Sequence, residues 1–144
     1  MASIQKAQVV SQLDGTVAIE FGLILPVLLL FTLGIIDFGR FLWTDTTLTR
    51  ATQAAARCGA LNATTSTICP NIAAYAVAQA WGISGITASA FTGTPAATCG
   101  GQAGASYQVS ASYNFQFIVP WFPQYGGSSL GTVTLTPSAC YPQQ

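Results

Sequence analysis

The chain has 144 residues, of which 51% are hydrophobic and 6% charged, with four Lys or Arg, four Asp or Glu and no histidine. Every charged side chain lies at or before Arg57, so the remainder has no cation with which to displace counterions from a phosphate backbone, and nucleic acid is excluded as a partner. General acid–base catalysis needs a titratable group, and beyond Arg57 there are only tyrosines and cysteines; no enzyme, catalytic residue or cofactor is expected.

In chain order, residues 1–15 read as a short polar leader. From Thr16 to Ile36 the sequence is TVAIEFGLILPVLLLFTLGII. As a helix this covers roughly 30 Å, the thickness of a bilayer's hydrocarbon core, and residues 16–36 are predicted to span a membrane. A cleaved secretory signal fits less well: the run is longer than a usual signal core, it carries Glu20, and no small-x-small site follows it before Asp37. Glu20 is the one charge in the run. Hydrocarbon makes a lone carboxylate costly, so it needs a partner or a position near the interface. Pro26 removes one helical hydrogen bond and loosens the span, which membrane helices tolerate.

Residues 37–60 continue the same helix. Phe38, Phe41, Leu42 and Trp43 crowd the membrane boundary, where aromatic rings are favoured. Leu48, Ala51, Ala54, Ala55 and Cys58 recur at helical spacing and form a small-residue stripe suited to another helix or to the protein's own sheet. Asp37, Arg40, Asp45, Arg50 and Arg57 read as a solvated face, with Asp37 and Arg40 near enough to pair.

Residues 61–144 form the predicted head. Asn71–Trp81 reads as a second short helix, with Pro70 at its start and Gly82 past its end. From Tyr107 to Phe117 apolar and polar residues alternate strictly, and Val133 and Leu135 repeat the pattern among threonines before Pro137 stops it. A weak alternation over 86–91 supplies a third strand. Thr92–Ala105 and Val119–Ser129, rich in Gly, Ala and Pro, are expected as connecting loops. The fold class is therefore α+β: a long N-terminal transmembrane helix running into a small head with a second short helix and a three-stranded antiparallel sheet. Within the second loop, Trp121, Phe122 and Tyr125 are either a contact patch or rings that fold back to close the small core.

Cys58, Cys69, Cys99 and Cys140 form an even set in a small domain with no histidine and no C-x-x-C, the pattern of a disulfide framework rather than a metal site. Three pairings are possible. Cys58 with Cys69 and Cys99 with Cys140 is favoured, and the other two stay open. Arg40 and Arg50 after the span against Lys6 before it would place the head in the cytoplasm. Disulfides require export, and four cysteines outweigh so small a charge count, so the N-terminus is placed in the cytoplasm and the head outside.

Gly15 before Thr16-Val17-Ala18-Ile19-Glu20-Phe21, the apolar helix with Pro26, and then Gly34-Ile35-Ile36-Asp37-Phe38-Gly39-Arg40 resemble the N-terminus of the TadE/TadG-like proteins of tight-adherence (Tad) pilus systems. The likeness covers about residues 14–60. It implies a pilin-like minor subunit of the bacterial inner membrane, cut by a prepilin peptidase between Gly15 and Thr16. It further implies that Glu20 meets the new N-terminal amine of a neighbouring subunit. The partners it implies are other pilin subunits, the Tad inner-membrane assembly machinery, the peptidase and membrane lipid. The competing function is an uncleaved, single-pass binding or assembly-scaffold protein.

Overall fold

A computed structural model describes residues 2–62, 69, 71–99, 102–118 and 131–143. The chain divides into two units, residues 1–38 and 39–144. The first is helical. Helix α1 runs over Ala2–Asn62 with Pro26 inside it, so 1–38 holds its first part and the second unit begins on its later turns. The glycines within it, Gly15, Gly22, Gly34, Gly39 and Gly59, do not end the helix. The long apolar middle, Val17 through Ile36, is composed mainly of Leu, Ile, Val and Phe, and these side chains are exposed all round the helix.

The second unit packs the last turns of α1, helix α2 (Ile72–Gln79) and the strands β1 (Phe91–Cys99), β2 (Gln102–Ala111), β3 (Tyr113–Gln116), β4 (Thr132–Leu135) and β5 (Ser138–Pro142). Helix α2 starts where Asn71 caps it: the Asn71 side-chain oxygen accepts from the Ala74 N–H at 3.0 Å, satisfying one of the donors a helix start leaves open. It stops before Gly82, whose φ of +80° is a conformation that glycine adopts without strain.

Strands β1, β2 and β5 form a three-stranded antiparallel sheet in the order β1-β2-β5, and β3 pairs with β4. The two sheets share one register. Ser110 faces Ser138 in the first and Tyr113 faces Leu135 in the second, three residues on in one strand and three back in the other. Backbone bonds extend the ribbon at both ends, from Gln143 N–H to Ala105 O at 2.8 Å and from Phe117 N–H to Gly131 O at 2.9 Å. The ladder is interrupted where Ala111 meets Pro137. The Ala111 N–H donates to Pro137 O at 2.9 Å, but proline has no N–H to return the bond.

The strict alternation over Tyr107–Phe117 is therefore one continuous face shared by two strands. Val109, Ala111 and Phe115 are buried, while Gln108, Ser110, Ser112, Asn114 and Gln116 are exposed. Three details differ from the sequence-based expectation. Thr92–Ala105 is not a loop but most of the β1–β2 hairpin, with Thr92 opposite Ser110 and Ala96 opposite Ser106. Its glycines, alanines and Pro95 hide it because β propensity is low there; β1 lies at the sheet edge, where a proline is tolerated. Pro137 does not end the sheet, since its fixed φ suits extended chain and Ser138 resumes pairing. Over 86–91 only Phe91 is strand, preceded by a 3₁₀ turn at Ala88–Ala90.

The core sets small residues on the helix against large ones on the strands. Ala51, Ala55 and Ala56 of α1 are fully buried with Leu48, beside Phe91, Val109, Phe115 and Leu135 from the strands. The small-residue stripe of α1 thus lies on the head's own core. Closest approach occurs at Gly59, where an added Cβ would overlap the Tyr107 ring, and the Tyr107 hydroxyl in turn stands 2.7 Å from where a Cβ on Gly93 would be. Gly59→Ala is expected to destabilise the head by about 1–3 kcal/mol through overpacking. The measurement is the denaturation midpoint of Gly59→Ala alone and with Tyr107→Leu. If the ring contact is the cause, the second change removes much of the first one's cost, and additive losses would refute it.

Cys58 is bonded to Cys69 and Cys99 to Cys140, with Cα separations of 6.1 and 5.7 Å. The first bridge fastens the end of α1 to the segment before α2. The second joins the end of β1 to β5, the two strands that flank β2.

Candidate functional site

The residues singled out for cleavage and assembly lie on the first part of α1. Gly15, Thr16 and Glu20 are all helical and exposed. Thr16 and Glu20 are four residues apart and so project from one side of the helix, one turn from each other. Beyond its chain neighbours and the helix's own backbone, nothing lies within 4 Å of a Cβ placed on Gly15. Among the described residues no side chain forms an ion pair or hydrogen bond with the Glu20 carboxylate. Its surroundings on the helix are apolar: Val17 is 64% exposed, Ile19 68% and Leu23 71%.

Pro26 sits within the helix and leaves the Gly22 carbonyl without its usual intrahelical donor. Six residues on, the Thr32 hydroxyl donates to the carbonyls of Leu28 and Leu29, both at 3.0 Å, so the one hydroxyl of this apolar stretch is satisfied within the helix itself. The described residues hold one helix long and apolar enough to cross a membrane.

Asp37 is a correction to the solvated-face expectation. It is fully buried, whereas Arg40, Arg50 and Arg57 are exposed and Asp45 is half-buried. Burying a carboxylate is tolerable only with hydrogen bonds, and among the described residues no buried side-chain oxygen or nitrogen lacks a partner. The threonines that follow use the same device. Thr44 donates to Arg40 O at 2.8 Å, Thr49 to Asp45 O at 2.8 Å and Thr52 to Thr49 O at 2.7 Å, which lets Thr44 and Thr52 enter the interior.

In the second unit the turns of α1 just after Phe38 meet aromatic side chains. Phe41 contacts Phe115 and Phe117 at 5.6 and 6.0 Å between ring centres, and the Arg40 guanidinium lies 5.5 Å over the Phe115 ring. Trp43 meets Trp81 edge to face at 5.2 Å. Sequence reasoning placed Trp43 at the membrane boundary and missed Trp81, which stands just beyond α2 with no periodic signal to link it to α1. The proposed contact residues Trp121, Phe122 and Tyr125 lie outside the described residues.

Residues 15–57 match the family model of TadE-like proteins. The match covers Gly15, Glu20, Pro26 and the helix up to the residue before Cys58, and it supports a TadE-like, pilin-type character for this segment. No curated protein and no solved structure matches the chain.

Proposed function

We propose that this chain, TadE-like over residues 15–57, is a structural, non-enzymatic minor pilin that takes part in assembling or priming a Tad-type pilus. On this reading residues 1–15 are a leader removed by a prepilin peptidase between Gly15 and Thr16. Residues 16–36 anchor the protein in the bacterial inner membrane, 37–60 continue the helix, and 61–144 form a head on the far side from the cytoplasm. Its partners are other pilin subunits and the inner-membrane assembly machinery, with the loop carrying Trp121, Phe122 and Tyr125 as a contact surface.

The observation that carries the reading is Glu20: a carboxylate in an otherwise apolar, exposed stretch of helix, without a partner among the described residues, five positions after Gly15. A charge at membrane depth costs about 2.5–3.5 kcal/mol on insertion scales. The Thr16 ammonium of a second, axially staggered subunit would offset that cost, whereas subunits out of register would leave the carboxylate bare, so the pair selects the stagger.

Glu20→Gln keeps the shape and removes the charge. Membrane insertion, head folding and cleavage are expected to be unchanged, while co-purification with partner pilins falls about fivefold, the difference of about 1 kcal/mol between a charge-assisted and a neutral hydrogen bond. Equal recovery of partner pilins with Gln would refute the pairing and favour a Glu20 that merely rests near the interface.

A further inference from the structure

We propose that Trp43 and Trp81, flanked by Arg40 and Arg50, form a bilayer-surface site that seats the head on the phosphate layer of an anionic phospholipid membrane. The proposal rests on the membrane-anchored reading above and adds to it a lipid contact made by the head itself.

Both indoles are more exposed than buried, Trp43 at 51% and Trp81 at 65%, although they touch edge to face at 5.2 Å. Two large rings left open to solvent would be a poor use of apolar area in a water-facing head. At a membrane–water interface the same exposure is favourable, because indole offers an apolar body and one N–H donor. Trp43 follows the apolar run closely in sequence, seven positions after Ile36, where aromatic rings flanking a span are favoured, and Trp81 is one ring contact away from it.

Charge points to the same occupant. Next to the pair lies a cavity of about 440 Å³ whose lining includes Leu42, Trp43, Arg50, Gln79 and Trp81. On the other side of Trp43 a second cavity of about 530 Å³ includes Arg40, Thr44 and Ser84 in its lining. Guanidinium forks beside indole rings match a phosphate with acyl chains beneath it, and each basic residue near an anionic leaflet adds to the attraction. A symmetric contact with a second copy is disfavoured, since it would bring the same arginines face to face.

The test uses the full-length chain with Trp43→Phe and Trp121→Phe, leaving Trp81 as the sole tryptophan, reconstituted in phosphatidylethanolamine–phosphatidylglycerol vesicles. Trp81 emission is expected to shift to the blue and to lose most of its intensity with lipids brominated near the headgroup, independently of the protein-to-lipid ratio. Arg40→Gln with Arg50→Gln should cut that quenching to the level seen in zwitterionic vesicles. A water-like emission that bromolipid leaves intact and soluble iodide quenches would overturn the proposal. So would a blue shift that vanishes on dilution into excess lipid, which would assign the surface to a second copy. Release of the chain by alkaline carbonate would defeat the anchoring reading itself, an outcome distinct from a bound chain with a wet Trp81.

Discussion

Cys140→Ser is expected to lower the stability of the head by about 4 kcal/mol while leaving membrane insertion intact. The bridge it removes spans 41 residues, and on the chain-entropy account the cost of closing a loop of that length is what the bridge takes away from the unfolded state. The Cys58–Cys69 bridge spans only 11 residues and by the same account contributes about 3 kcal/mol. A head of this size, with a core built largely of alanines, has little else in reserve, because small domains bury a smaller fraction of their surface and hold only about 5–15 kcal/mol in total. Denaturant titration of the full-length protein in detergent, followed through its tryptophans, measures the loss. Resistance to carbonate extraction checks that insertion persists. An unchanged midpoint in Cys140→Ser would show that packing and the ladders to β2 hold β1 and β5 in place without the bridge.

The other large effect concerns the leader. Under the proposed maturation, Gly15→Val abolishes cleavage, because a branched side chain stands where the peptidase needs close access to the backbone. In the protein itself the change is sterically free, since a Cβ at Gly15 meets nothing within 4 Å. A block would therefore reflect the peptidase and not misfolding. Mass spectrometry of the N-terminus from cells that contain the peptidase is the measurement. The wild type is expected to begin at Thr16 and the variant at Met1 or Ala2. A wild-type chain that also begins at Met1 would remove maturation from the reading and leave the uncleaved scaffold as the better account.

Several features were legible in the residues because their causes are local. An apolar run of membrane length gives a helix long and apolar enough to cross a bilayer. The period-2 pattern of Tyr107–Phe117 set the inward face of β2 and β3 residue by residue. Asn71 and Gly82 mark the ends of α2 through a side-chain cap and a positive φ, neither of which depends on distant parts of the chain. The TadE-like character likewise rests on one contiguous stretch, residues 15–57.

What lay beyond the sequence depends on neighbours brought from far along it. Thr92–Ala105 becomes a hairpin because β2 offers it a register, not because Gly93, Pro95 and Ala96 favour extension. Pro137 looks like an end but interrupts only one bond of a ribbon that continues on both sides, since its partner Ala111 is also held by Phe91 in β1. Gly59 looks like a helix breaker, yet its task is to admit the ring of Tyr107. Trp81 acquires a role only when Trp43 arrives beside it. Local periodicity and capping could thus determine which elements form and which faces they bury. Pairing partners and the meeting of two indoles arise from tertiary contacts, because their free energy belongs to pairs of groups separated in sequence and no single stretch encodes it.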